Sequence, residues 1–413
     1  MKPNIYFFNP TCELAVANGS SNFMAPARLR RFENELSTLP AILASKEDII
    51  LSEHLPSLEY LVKLESLGLI VPKFLTLNEI LPDLPLTELP INFLIPWGWS
   101  PAAHKLLLPL KQYCSQKFLS SPVFEWKEIH RELYSRNASL TILNQLVTLS
   151  KSEILLPFND LPEKCTTHDQ IISLQKKWER VVVKAPWSAS GRGLQVLRKN
   201  EYNQSNIQVI GSFLNQQGYV IAGPWHERVM DFSFQFFSHG SGSLEYMGFT
   251  SFRTDKAGRF EGIYVQELPH DIDPELIEFI LEYIPQVQKI LHGILNESRY
   301  SADYFGWLGV DAMIYKTTDR KYKIQPCLEI NCRLTMGTLA LKLRSHLAEG
   351  SLGDFKIIHG PAGYFHDYCS ALSIKEPLIL ESGKISEGFL PLTPVTEGCI
   401  FGACLRVSRR NKI

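Results

Sequence analysis

Two apolar runs in the second half of the chain carry acidic side chains where a folded protein can least accommodate them. In LGVDAMIY (308–315) Asp311 sits among aliphatic residues, and in CLEINCRL (327–334) Glu329 and Asn331 alternate with Leu328, Ile330 and Cys332. Both runs have the composition of strands, so Glu329 and Asn331 emerge on one face, about 6–7 Å apart along the backbone. A carboxylate buried without a partner is costly, which requires a counter-charge or a metal beside Asp311. The polar TTDRK (317–321) between the runs predicts a hairpin. An odd-length loop there puts Asp311 nearly opposite Cys327, on the face of Glu329 and Asn331. Three oxygen donors then converge, a set that suits Mg²⁺, which commonly completes its shell with water and substrate phosphates. Arg333, two residues further on, offers charge to an anionic substrate or a transferring phosphoryl group. The competing reading is a polar outer face laced with salt bridges; the apolar opposite face, with Trp307 and Met313 nearby, counts against it.

A second stretch bears on phosphate. In VVVKAPWSASGRGL (181–194) a β-branched run predicts a strand ending at Lys184, and a small-residue loop follows. Ser188, Ser190, Gly191 and Gly193 bring backbone N–H groups close to phosphate oxygens, while Lys184 and Arg192 supply positive charge. Taken alone this is neither GxxxxGK[ST] nor GxGxxG, and a plain strand and loop explain it as well. The oxygen donors more than a hundred residues later give it meaning, because a triphosphate needs a metal.

Composition excludes several classes. The 413 residues call for two or three domains, and 45% hydrophobic with 21% charged residues is an ordinary globular balance. With 42 basic against 43 acidic side chains, no global field recruits nucleic acid or an anionic membrane. The basic clusters at Arg28–Arg31 and Arg409–Lys412 read as solvated faces. The first apolar run, before Asn9-Pro10, is too short for a signal peptide, and no stretch approaches the ~20 apolar residues of a membrane span. A cytoplasmic protein is expected. Eight cysteines without a CxxC pair predict free thiols rather than a zinc site.

Strand and helix patterns alternate over about residues 1–115, which predicts a small parallel α/β domain. Residues 125–180 are mainly helical in pattern. A β-rich stretch follows from Val181, and PELIEFILEYIPQVQKILHGIL (274–295) shows apolar spacing at three and four, so it should pack on that sheet. After about residue 350 the chain offers short strands and turns but no interpretable motif.

Lys184 with its loop, a later strand over Tyr219–Trp225, then Asp311 and Glu329-Ile330-Asn331 follow in an order that resembles the ATP-grasp superfamily over roughly residues 130–345. The likeness is to its carboxylate–amine ligase and D-alanine–D-alanine ligase branch. The resemblance implies an α/β protein with the ATP-grasp fold: an N-terminal Rossmann-like α/β domain (1–120), a helical linker and small lid subdomain (121–222), a core with Mg²⁺-binding strands (223–350) and a C-terminal extension (351–413). It implies that Lys184 contacts the α- and β-phosphates, and that Ser188, Ser190, Gly191, Arg192 and Gly193 close over ATP. Asp311, Glu329 and Asn331 would hold Mg²⁺, or Mn²⁺, and Arg333 would face the acyl phosphate, which makes Lys184 and Arg333 the implied catalytic residues. The strand in GYVIAGPWHERVMDFSFQF would bind adenine, with Asp231 either near the ribose or paired with Arg228. Two departures stand out: Gly223 where a hinge glutamate is common, and Arg136 where a phosphate-binding lysine is usual. The implied activity is ATP-dependent, ADP-forming ligation of a small-molecule carboxylate to an amine or thiol. A kinase on the same scaffold and an ATP-binding regulatory protein without turnover are the alternatives. Neither nucleic acid nor membrane is an expected partner. Glu13, Trp97, Trp99 and Arg253 are candidate substrate contacts.

Overall fold

Short β-branched and aliphatic runs build the first sheet. The computed structural model describes residues 2–77, 90–188, 193–199, 201–255, 258, 260–269 and 271–409, and among these lie three sheets. Strands Ile5–Phe7 (β1), Ile49–Ser52 (β2), Lys73–Thr76 (β3) and Leu94–Pro96 (β4) pair in parallel in the order β3-β2-β1-β4. Ile5, Ile49, Ile50, Leu51 and Leu94 are all buried, as expected of parallel strands covered on both faces. Beyond β1, Asn9-Pro10-Thr11 turns the chain into the helix Cys12–Asn18.

The second sheet has four strands, Glu163–Cys165 (β5), Arg180–Lys184 (β6), Leu194–Arg198 (β7) and Val220–Pro224 (β8), in the antiparallel order β5-β8-β6-β7. Its alternation is decisive for the site. Val181 and Val183 bury themselves with residues of the helices His168–Lys177 and Gln204–Gln217, which leaves Val182 and Lys184 on the opposite face.

The third sheet is antiparallel throughout. It comprises Glu227–His239 (β9), Leu244–Thr254 (β10), Phe260–Tyr264 (β11), Phe305–Lys316 (β12), Tyr322–Asn331 (β13), Ser351–His359 (β14), Ile379–Glu381 (β15), Lys384–Pro391 (β16) and Phe401–Arg409 (β17). Their order is β13-β12-β9-β10-β11-β14-β17-β16-β15, so the C-terminal segment that showed no motif supplies four strands of this sheet. In β9 the sequence Asp-Phe-Ser-Phe-Gln-Phe alternates strictly: Phe232, Phe234 and Phe236 are fully buried and share a core with Leu276, Ile280, Val287 and Leu291 of the helix Pro274–Asn296. Asp231, Ser233 and Gln235 therefore face the other way.

The β12–β13 hairpin follows the sequence count only part way. From Lys316↔Tyr322 to Met313↔Gln325 the register is that of the loop, and then it shifts, placing Asp311 opposite Glu329 rather than Cys327. Pro326 lies in the shifted stretch, and a proline cannot donate to the ladder, so the irregularity accommodates it. At the end of β13 an isolated bridge joins Arg333 to Gly98, and the Leu334 N–H donates to the Trp97 carbonyl at 2.8 Å. The first sheet is thereby fixed to the end of the acidic strand. All eight cysteines are unpaired and buried. No helix among the described residues is long and apolar enough to cross a membrane.

Phe234→Ala is expected to cost about 3–5 kcal/mol in urea unfolding, since it removes a fully buried ring from an interior strand of the large sheet. Met24→Ala, at a side chain 73% exposed, should stay within about 0.5 kcal/mol.

Candidate active site

Because Lys184 lies on the uncovered face of the four-stranded sheet, it looks across a cleft at β12 and β13. Arg136, Lys184, Arg228, Asp231, Asp311 and Glu329 line that cleft together. Arg136 opens the helix Arg136–Ser150, where Ser135 accepts a capping bond from the Ala138 N–H at 3.2 Å. Arg136 is only 7% exposed, and its guanidinium donates to the Ala185 carbonyl at 2.5 Å, to Ser188 Oγ at 2.6 Å and to the Ser188 carbonyl at 3.2 Å. Across the cleft it holds both carboxylate oxygens of Glu329, at 2.9 and 3.0 Å. Burial, with Arg136 nearby, pulls the Lys184 ammonium down to about 8.

Asp311 and Glu329 stand directly opposite each other on neighbouring strands. Burial, reinforced by the Glu329 charge, pushes the Asp311 carboxyl up to about 7. The Asn331 amide donates to Asp311 Oδ2 at 2.9 Å and accepts from Arg333 Nη2 at 2.8 Å. Arg333 is in turn fixed by Glu13 of the first helix, Nε to Oε1 at 2.9 Å. Among the described residues no group of three or more His, Cys, Asp or Glu side chains converges, so the donor set here is two carboxylates and an amide. That set fits Mg²⁺, which is held by one or two protein carboxylates when phosphates complete its shell. A carboxylate has about four lone-pair positions, so the Arg136 pair leaves Glu329 oxygen capacity for a cation.

The chain crosses from the small sheet to the large one through Gly223, Pro224, Trp225 and His226, all of which line the cleft. Gly223 pairs with Val182, and a Cβ there would come to 3.0 Å from Pro162 Cγ, so any side chain at this strand position requires Pro162 to give way. His226 stacks on Tyr315 with ring centroids 4.0 Å apart at 22°. Burial draws the His226 imidazole down to about 4, which keeps it neutral, and neither its Nε2 nor the Tyr315 hydroxyl has a hydrogen-bond partner among the described residues. Sequence reasoning missed His226; its position depends on where the chain changes sheets. Asp231 lines the cleft and is also paired with Arg228 at 3.4 Å, while Thr254 Oγ donates to it at 2.5 Å.

A second cavity adjoins the first and shares with it Phe252, Thr254 and Gly258 as well as two charged residues, Asp311 and Glu329. Asn331, Arg333 and Trp97 line it, as do Pro10 and Thr11. Of the other suggested substrate contacts, Glu13 is engaged by Arg333, Trp99 packs on His104 at 4.4 Å in the core, and Arg253 pairs with Asp354. Ser188 is turned inward onto Arg136, and the Gly193 carbonyl accepts from the Ala185 N–H at 2.8 Å. A Cβ on Gly193 would strike Ser188 Oγ at 2.3 Å. Ser190, Gly191 and Arg192 lie outside the described residues.

By sequence, no family model and no curated protein matches the chain. By fold, it is similar to an N5-carboxyaminoimidazole synthetase from Staphylococcus aureus complexed with ADP, with a TM-score of 0.51 at 10% identity over 99% of this chain and 95% of that one. It is similar also to the biotin carboxylase domain of the Hydrogenobacter thermophilus 2-oxoglutarate carboxylase, in complex with MgADP, ADP and bicarbonate. There the TM-score is 0.51 at 9% identity over 99% of this chain and 87% of that one. Rhizobium etli pyruvate carboxylase gives a TM-score of 0.51 at 10% identity over 99% of this chain and 36% of that one.

Removing one side of the buried pair by Arg136→Met is expected to cost about 3 kcal/mol in urea unfolding, because Glu329 is left uncompensated. Adding Glu329→Leu in the same chain should recover part of that loss, as a double-mutant cycle would read.

Proposed function

Starting from the ATP-grasp fold that these likenesses establish, we propose that the protein is an ATP- and Mg²⁺-dependent, ADP-forming ligase that activates a carboxylate as an acyl phosphate. The observation that carries this reading is the shared wall: Asp311 and Glu329 line both cavities, so a triphosphate on the Lys184 side presents its γ-phosphorus to a carboxylate on the Arg333 side. Lys184 and Arg136 bind and orient the phosphates, and the hinge through His226 takes the base. Asp311, Glu329 and Asn331 are the residues that would hold Mg²⁺, whose charge offsets that of the triphosphate.

A substrate carboxylate oxygen attacks the γ-phosphorus, the bond to the β–γ bridging oxygen breaks, and ADP leaves with the electron pair. An amine nitrogen then attacks the acyl carbon, phosphate departs, and the nitrogen loses a proton to solvent. Arg333 faces the oxygens on which negative charge develops. Its pairing with Glu13 and Asn331 fixes its direction before substrate arrives, which is the condition for electrostatic stabilisation of a transition state. The chemistry needs no protein nucleophile; positioning carries it.

Asp311→Asn keeps the shape of the strand pair but removes one anionic oxygen donor. ADP formation is expected to fall by about 10²-fold or more, with the melting temperature held or raised because a buried like-charge pair is relieved. Unchanged turnover in this variant would refute the metal role. A pH profile reads Lys184: the ammonium is charged below about 8 and lost as pH rises through that value. Since kcat/KM for ATP reports the free enzyme, it should decline about tenfold per pH unit above that point, and Lys184→Arg should flatten the decline.

A further inference from the structure

The second cavity is graded along the sheet. Among its described lining residues the charged ones are Asp311, Glu329 and Arg333, on β12 and at the end of β13. Next come neutral hydrogen-bonding side chains on β9 and β10: Ser233, Gln235 and Thr250, all 3% exposed or less. Thr335 Oγ donates to the Gln235 amide oxygen at 2.8 Å, and the Gln235 amide donates to Ser233 Oγ at 2.9 Å. The Ser and Thr hydroxyl oxygens keep acceptor capacity beyond these bonds. Last come half-buried apolar side chains: Phe252 near the end of β10, which with Thr254 also borders the first cleft, then Phe260 on β11 and Ile357 on β14, with Leu29 and Phe32 of the helix Ala27–Glu35 lining the same end. The Phe32 ring packs edge-on to Phe401 of β17 at 5.1 Å, which fixes that helix at the apolar end.

Strand order turns this gradient into a length. From β12 to β11 is three strand steps, about 14 Å at the usual spacing. An acid as small as bicarbonate or glycine, with its carboxyl at Asp311 and Arg333, cannot reach the apolar end. Two residues of extended chain span about 7 Å and a terminal side chain adds several more, which does.

We propose that the acid activated at this site is peptide-like: a carboxylate, then an amide-bearing middle, then an apolar group of leucine or phenylalanine size. The inference rests on the ligase reading. The charged end receives the carboxylate, the Ser233–Gln235–Thr250 stretch meets the amide, and Phe252, Phe260 and Ile357 cover the apolar group. A mismatch in such a pocket costs about 10–200-fold per missing methylene, and more where a hydrogen bond is lost.

The test uses the full chain with ATP, Mg²⁺ and hydroxylamine, which converts an acyl phosphate into a hydroxamate. Leucylglycine and N-phenylacetylglycine are compared with glycine, aspartate and bicarbonate, reading ADP and, for the carboxylic acids, hydroxamate. The two longer acids are expected to give a kcat/KM for ADP formation about 100-fold above glycine. Phe260→Ala or Ile357→Ala should lower the leucylglycine-to-glycine ratio about tenfold within the same variant. A preference for glycine, aspartate or bicarbonate, or a ratio unmoved by both variants, overturns the peptide-like assignment while ADP formation upholds the ligase reading. ATP binding without ADP formation from any of the five acids overturns the ligase reading, and the assignment falls with it.

Discussion

Everything at the cleft hangs on one guanidinium. Arg136 is nearly buried and touches three parts of the molecule: Glu329 on β13, the Ala185 carbonyl just past β6, and Ser188 in the loop beyond. Taking an arginine out of water is tolerable only when its N–H groups are satisfied, and here the two terminal nitrogens are bonded while Nε has no partner among the described residues. The pair ties the four-stranded sheet to the acidic strand and so sets the distance from Lys184 to the oxygen donors. It also explains why arginine stands here. A lysine carries a compact charge on a single nitrogen, whereas here Nη2 meets both oxygens of the carboxylate while Nη1 holds the Ala185 carbonyl and Ser188 Oγ.

The division between core and site is a matter of strand alternation. In β9 the phenylalanines at 232, 234 and 236 complete the apolar layer under the helix Pro274–Asn296, and the residues between them furnish Asp231, Ser233 and Gln235 to the two cavities. In β6 the same rule buries Val181 and Val183 and releases Lys184. Since neighbouring strands share a face only when their register is fixed, the long β9–β12 ladder from Phe305↔His239 to Lys316↔Glu227 acts as the ruler. It sets Asp311 beside Ser233, and the shift near Pro326 then brings Glu329 to the same level from the other side.

Much of this was legible in the residues themselves. The parallel first sheet, the strand ending at Lys184, the long amphipathic helix and the common face of Glu329 and Asn331 all follow from periodicity, a local property. What the sequence concealed is non-local. The Asp311–Glu329 opposition depends on a register shift that hairpin counting does not contain. Glu13 meets Arg333 across 320 positions of sequence, and nothing in ELAVAN marks that glutamate as a partner. Gly223 lies against Pro162, 61 positions earlier, and His226 stacks on Tyr315, contacts that no local pattern in the chain announces. The C-terminal strands β14 to β17 lacked a motif because their contribution is edge pairing, which many sequences can provide.

Two carboxylates facing each other inside a sheet are an unfavourable arrangement, since like charges directly across a ladder repel and burial strengthens the repulsion. The fold brackets the pair with guanidiniums, Arg136 on Glu329 and Arg333 on the Asn331 amide that reaches Asp311, yet the Asp311 carboxyl is still raised to about 7. A purely structural network would be cheaper with an amide or an apolar residue at position 311. The residual imbalance is one that either a proton or a further cation would relieve, and it lies beside a cleft lined by Arg136, Lys184 and Arg228. Electrostatic cost and cavity geometry thus coincide at Asp311: a carboxyl that burial and a like charge disfavour stands among the residues that both cavities share.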